Sequence, residues 1–212
     1  MLASLLVAIT LVAGLLVSDA GATTPLRERL RLAQRELDKA NQRLEDAQAA
    51  LQAALAAADA DPGATAGGTT AAPAPDVAHL QAGVDDAREV VNECENKVER
   101  LAAAVQQEDD IAAWEENGEW MPIIKIAAAK YDVKADGVYR IMMRESGGDA
   151  RAGAGSPFKG LFQYWTETWK NEWNPWRKDS IYDGTSQIFA TAYAIHKGMG
   201  PQMWTTTFAT QY

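Results

Sequence analysis

Cysteine occurs once and histidine twice in the 212 residues. A single thiol, Cys94, excludes a disulfide framework and a cysteine-based zinc site. His79 and His196 stand too far apart to form a histidine-rich metal cluster. Basic charge is short as well: 20 Lys+Arg against 29 Asp+Glu give a net charge of -9, with no surplus to hold nucleic acid. Aromatic side chains are absent from the first 113 residues, because all 7 Trp, 6 Tyr and 4 Phe lie at or beyond Trp114. An aromatic-free half joined to an aromatic-rich half implies two kinds of structure in one chain.

Residues 1–18 carry no charged side chain, and the small residues Ala20-Gly21-Ala22 come next. This pattern is that of a secretory signal peptide ending at an Ala-x-Ala site, although a basic leading segment is missing. The competing reading is a retained membrane anchor, since 18 apolar residues lie at the short edge of a span. Export is the expectation for residues 1–22.

From Leu26 the apolar residues take a seven-residue register. Leu30, Leu37, Leu44 and Leu51 form one row; Leu26, Ala33, Ala40, Ala47 and Ala54 form the other. A second segment repeats it with Val77, Val84, Val91, Val98 and Val105 beside Leu80, Ala87, Cys94 and Leu101. Such rows bury one seam of each helix against another. Residues 60–75 between them hold only breakers and small or polar residues. The two segments are each about 35 residues, roughly 50 Å of helix. Equal lengths and one loop predict an antiparallel coiled-coil hairpin over 23–110, with a parallel dimer of each helix as the alternative. Segment 26–59 is balanced, whereas 76–110 carries ten acidic and three basic residues, which makes an acidic solvated face or a docking surface for a basic partner. Cys94 falls on the apolar seam and reads as a small core residue.

Residues 111–212 are neutral, with eleven acidic and eleven basic side chains. Pro122 suits the first turn of a helix running to Tyr131. A second helix, 137–145, places Val138, Ile141 and Met142 on one face and stops at Gly147-Gly148. A third starts near Asp183 or Thr185 and ends at Gly198. No stretch alternates strongly enough to predict a strand. The chain is expected to be mainly α: the helical hairpin, then a small α-helical domain.

Glu145 stands out within that domain. It occupies the last turn of its helix, where the negative end of the helix dipole opposes ionisation. Phe162, Tyr164, Trp165 and Trp169 lie a short way along the chain and supply rings that dry a site or stack on sugars. A carboxylic acid kept protonated is what a glycosidic oxygen needs from a general acid.

The series Ile124…Ala127-Ala-Ala-Lys-Tyr131, Val138-Tyr-Arg-Ile141, Glu145-Ser146-Gly147-Gly148-Asp149 and Gly160-Leu161-Phe162-Gln163 resembles the soluble lytic transglycosylases and goose-type lysozymes, which cleave peptidoglycan on a lysozyme-like fold. The resemblance covers residues 121–165 well and 180–204 loosely. It implies that Glu145 is the acid/base, that Ser146 and Gln163 shape the saccharide site, and that Tyr164 and Trp165 line the groove. Two departures stand out: Ala150 occupies a position where the family often has Pro, and the Ala-Tyr-Asn-Ala-Gly motif is missing. Tyr193 or Tyr182 is left as the candidate for the family's active-site tyrosine.

Paired-carboxylate glycosidases need a second acid across the scissile bond. Asp149 is the nearest in sequence, and a turn-forming role is the plainer reading of it. The family resemblance implies a one-carboxylate route that yields a 1,6-anhydro product, without metal or cofactor. The expected partner is the peptidoglycan glycan strand at the cell wall, with no nucleic acid, a protein partner open to the arm, and a membrane only if residues 1–18 are retained. Two other readings remain: a hydrolytic muramidase on the same fold, and a non-catalytic wall-binding or scaffold protein. Trp173-Asn-Pro-Trp176 reads as loop packing, His196 as a surface residue, Met142 and Met143 as core, and Lys159 and Arg144 as surface charge.

Overall fold

A computed structural model describes residues 25–59 and 76–212. The expected signal peptide or anchor over residues 1–22 and the expected linker 60–75 lie outside the described residues. The described chain is mainly helical. It forms two compact units divided between Val105 and Gln106.

The first unit is a helical pair. Helix α1 spans Leu26–Asp59 and α2 spans Val77–Asn117. The alanine row is the buried one in α1: Ala33, Ala40 and Ala54 are buried, while the leucine row is half-buried. Val84, Val91, Leu101 and Val105 answer from α2. Small residues on one side let the helices approach, and branched residues on the other fill the seam. The Lys97 ammonium meets the Glu36 carboxylate at 2.6 Å. Glu36 precedes the end of α1 by about as many residues as Lys97 follows the start of α2, which is the register of an antiparallel hairpin. Both ends of this ion pair are half exposed, so packing rather than charge holds the pair together.

The second unit begins at Gln106 rather than at residue 111. Ile111 and Trp114, on the last turns of α2, pack against its core. Gly118, with φ 70°, breaks the helix. Helix α3 (Trp120–Tyr131) comes next and buries Trp120, Ile123, Ile124, Ile126, Ala127 and Ala128. Helix α4 (Ala135–Ser146) lays Val138, Ile141 and Met142 on the same core and stops where Gly147 turns left-handed. Between α4 and the last long helix lie a two-stranded antiparallel hairpin, β1 (Phe158–Lys159) and β2 (Tyr164–Trp165), and the short α5 (Thr166–Trp169). Helix α6 (Gly184–His196) is buried on nearly every side, as a helix at the centre of a domain is, and its polar Ser186, Gln187 and Thr191 are buried with it. Helices α7 (Gly200–Met203) and α8 (Thr205–Gln211) close the chain.

Helix directions follow from the end contacts. Trp120, at the start of α3, lies against Gly184, at the start of α6, where an added Cβ would fall 2.5 Å from the indole. Tyr131, at the end of α3, meets Tyr193 and His196, at the end of α6, with ring centroids 5.5 and 6.1 Å away. Helices α3 and α6 are therefore parallel. The Trp120 indole N–H also donates to the Gly148 carbonyl at 2.8 Å, so α4 runs antiparallel to both and brings its C-terminus beside their N-termini.

Glu115 ties this arrangement together. Its carboxylate accepts from the Gly184 backbone N–H at 2.9 Å and from the Thr185 hydroxyl at 2.6 Å, at the positive end of α6. Replacing Glu115 with Ala is expected to lower unfolding stability by about 1–2 kcal/mol, the usual loss of a helix cap. Urea denaturation of the two proteins measures it, and an unchanged midpoint would contradict the capping role.

Candidate active site

Val138, Ile141, Met142 and Glu145 recur at helical spacing on one face of α4. The first three are buried in the core; Glu145 ends the stripe, half-buried, where the face emerges. The helix delivers this carboxylate to the surface along an apolar wall.

Immediately after Glu145 the chain enters a tightly turned loop. The Ser146 hydroxyl donates to the Met142 carbonyl at 3.3 Å and accepts from the Gly148 N–H at 3.1 Å. Its donor is thereby committed inside the protein, so Ser146 fastens the helix end. Gly147 and Gly148 both take positive φ, 67° and 88°, a conformation that side chains resist. One Asp149 carboxylate oxygen accepts from the Arg151 N–H at 2.8 Å, forming a local turn. The loop is then laced to the β-hairpin: Gly160 N–H donates to the Ala152 carbonyl at 3.0 Å, and the Lys159 ammonium donates to the Gly153 and Ala154 carbonyls at 2.7 and 3.0 Å. Lys159 is thus a loop fastener more than a surface charge. Gly153 is seated so closely that an added Cβ would overlap the Phe158 carbonyl.

Gly160-Leu161-Phe162-Gln163 forms the turn between the strands. Leu161 and Phe162 are fully buried. The Phe162 N–H donates to the Gln187 side-chain oxygen at 3.0 Å, its carbonyl accepts from the Trp204 indole at 2.9 Å, and the Gln187 amide also donates to the Ile181 carbonyl. Gln163 is left-handed, with φ 49°, and its side-chain amide donates to the Gly160 carbonyl at 2.9 Å. Through the Ala152–Gly160 bond, the segment after Glu145 and the segment carrying Gln163 are one connected surface.

The aromatic candidates separate. Tyr164 does not line a groove: it is 3% exposed, its hydroxyl shares a 2.9 Å hydrogen bond with Thr191, and its ring packs among Trp169, Trp173 and Trp204. The register explains this, because Tyr164 pairs with Lys159 on the inward face of the hairpin, while Trp165 pairs with Phe158 on the outward one. Trp165 is 53% exposed. Tyr193 is not brought to Glu145. It sits beside Tyr131, at the far end of α3 from Gly148, about 16 Å along an eleven-residue rise. Tyr182 lies on the hairpin side instead, with the Lys159 ammonium 5.8 Å from its ring centre. Trp173 and Trp176 pack the intervening loop around a buried Asn174, whose amide donates to the Trp169 carbonyl at 2.8 Å. Met142 is core, whereas Met143 is 42% exposed; it borders a cleft of ≈ 460 Å³ with Trp120, Pro122, Tyr139, Gly147 and Gly148. Met142 and Glu119 also line this cleft, but Glu145 does not, so the cleft adjoins its loop without being lined by its side chain.

Among the described residues no three His, Cys, Asp or Glu side chains gather as a metal-binding group, and no helix is long and apolar enough to cross a membrane.

Two phenols are perturbed. Burial, and then the neighbouring Tyr193, push Tyr131 up to about 12. Burial also raises Tyr164, against the opposing effect of its Thr191 hydrogen bond. A phenol that holds its proton more tightly when folded contributes stability that is complete below its unfolded value near 10 and is lost as pH rises through the folded value. Stability should therefore fall between pH 10 and 12, and Tyr131→Phe should flatten part of that fall. Urea midpoints at pH 9 and pH 12 for both proteins check this; identical pH slopes would contradict it.

The polar residues that hold the site, Glu115 and Gln187, are not marked out by any motif. Gln187 does leave a signal, a lone amide beside the apolar run Ile188-Phe189-Ala190. No family model, no curated protein and no solved structure matches this chain.

Proposed function

We propose that this protein is an exported peptidoglycan lytic transglycosylase that cleaves the β-1,4 bond between N-acetylmuramic acid and N-acetylglucosamine, with Glu145 as its acid/base. The observation that carries the reading is the half-buried Glu145 carboxylate at the end of the α4 core stripe, beside a loop tied to the Gly160–Gln163 turn.

In this reading Glu145 gives its proton to the glycosidic oxygen as the bond to the muramic acid anomeric carbon breaks. The substrate's own N-acetyl group stabilises the cationic centre. Glu145, now a carboxylate, takes the proton of the muramic acid 6-hydroxyl as that oxygen bonds to the anomeric carbon. The products are a new N-acetylglucosamine 4-hydroxyl and a 1,6-anhydro ring, and Glu145 is again protonated.

A one-carboxylate route suits the surroundings of Asp149. A hydrolytic muramidase would need a second acid to hold water, and one oxygen of Asp149 is engaged by the Arg151 N–H in a local turn. The helical pair acts as an arm that spaces the enzyme or docks a partner, and residues 1–22 direct export.

Dye-labelled peptidoglycan incubated with the full chain tests cleavage. Release of soluble dye is the expected result. A protein that sediments with the wall and releases nothing would instead be a binding or scaffold protein.

A further inference from the structure

The two flanks of the seam in the helical pair differ. Three residues beyond Leu26, Ala33 and Ala40 stand Arg29, Glu36 and Arg43, and on this flank the Glu36 carboxylate meets the Lys97 ammonium at 2.6 Å. Four residues beyond Leu30, Leu37, Leu44 and Leu51 stand Gln34, Asn41, Gln48 and Leu55, which lie on the opposite flank. This second row holds no charge. Gln34 and Asn41 are exposed, Leu55 is 46% exposed, and the leucines that the row borders are half-buried. Charged residues ordinarily border the seam of a helical pair on both sides. An uncharged border beside half-covered leucines marks a surface for a further helix.

Charge along α1 selects the direction of that helix. Residues 26–42 carry five basic and three acidic side chains, whereas 43–59 carry one basic and three acidic. The first half is therefore positive by two and the second half negative by two. A second α1 laid antiparallel sets each positive half against a negative one, while a parallel copy sets like against like. Helix α2 offers no such match: segment 76–110 carries ten acidic and three basic residues, so two copies of it repel.

The same chemistry narrows the occupant to a second copy of this chain. A basic partner would be drawn to the acidic α2 rather than to a row of amides. An anionic membrane surface calls for basic residues beside the apolar stripe, and Gln34, Asn41 and Gln48 are neutral. Helix α1 has 34 residues. Its face is thus about 50 Å long and about 10 Å wide, so two copies cover about 1,000 Å² between them. That is the size of a weak, reversible interface.

We propose that α1 is a dimerisation face: its leucine row and uncharged border pack antiparallel on the same stripe of a second copy, and the two helical pairs form a four-helix bundle. Asn41 then lies near the two-fold axis, and Gln34 faces Gln48 of the second copy. In such a bundle the half-buried leucines become core residues. The inference does not depend on the reading of Glu145.

Sedimentation velocity of the full chain over a range of concentrations tests it. The parent is expected to pass from one copy to two with a Kd on the order of micromolar. Gln34→Lys combined with Gln48→Lys sets lysine against lysine twice across the two-fold axis, and association should weaken about tenfold. Gln34→Lys combined with Gln48→Glu sets lysine against glutamate in an antiparallel dimer and should associate at least as tightly as the parent. In a parallel dimer that same variant opposes like charges and weakens. Lysine and glutamate are good helix formers, so circular dichroism should show the three proteins equally helical and exclude unfolding as the cause. A parent that stays a single copy throughout would overturn the proposal, as would a dimer that neither double variant alters. A dimer weakened as much by the lysine and glutamate pair as by the two lysines would overturn the antiparallel packing.

Discussion

Glu145→Gln is expected to lower peptidoglycan cleavage by about three orders of magnitude while leaving the fold intact, in line with the ~10²–10⁴-fold contribution of a general acid. Glutamine keeps the shape and hydrogen-bonding reach of the side chain but has no proton to give to the leaving oxygen and no carboxylate to take one back. Both halves of the reaction fail together, so kcat falls and substrate affinity is kept. Stability should hardly change, because Glu145 ends the α4 core stripe half-buried, with Gly147 stopping the helix independently of it. Initial rates of soluble muropeptide release, beside circular dichroism of both proteins, provide the check. A variant that retains more than a tenth of the rate would move the acid elsewhere.

Gln187→Leu should destabilise the protein by about 3 kcal/mol and disable the site as well. The Gln187 amide meets two buried backbone groups, accepting from the Phe162 N–H and donating to the Ile181 carbonyl. Leucine is of similar volume but leaves both groups without partners, at about 1–3 kcal/mol each. Loss of the bond to Phe162 also releases the Gly160–Gln163 turn from α6. Gly160 permits that bond, since an added Cβ would overlap the Gln187 side chain. A lower urea midpoint at an unchanged slope would show the loss of stability, and slower cleavage by the fraction still folded would show that the turn has shifted. A variant as stable as the parent would contradict the anchoring role.

Elements with strong punctuation or period are legible in the sequence. The hairpin follows from heptads that name Ala33, Ala40, Val84 and Val91, all buried in the structure. The ends of α4 and α6 follow from Gly147 and Asp183, and Asp183 does accept from the Ser186 N–H at 2.7 Å. Features set by tertiary contact are not legible. Strands of two residues are too short to alternate, so Gly-Leu-Phe-Gln-Tyr-Trp carries no sign that Tyr164 turns inward and Trp165 outward. The direction of α6 relative to α3 decides that Tyr193 lies far from Gly148, and no local pattern encodes that direction. Helix α2 runs on to Asn117, past the expected end of the hairpin at residue 110, because Ile111 and Trp114 find packing partners in the core of the second unit.

Glu145 is readable as a candidate because its helix ends in two glycines and an aromatic segment comes after them. Its chemistry is a matter of products. Mass spectrometry of the soluble fragments released from purified peptidoglycan by the full chain distinguishes the routes directly. Transglycosylation by Glu145 gives muropeptides ending in 1,6-anhydro-muramic acid, and none from Glu145→Gln. Reducing-end fragments one water heavier would mean that a second acid directs hydrolysis and would contradict the one-carboxylate mechanism.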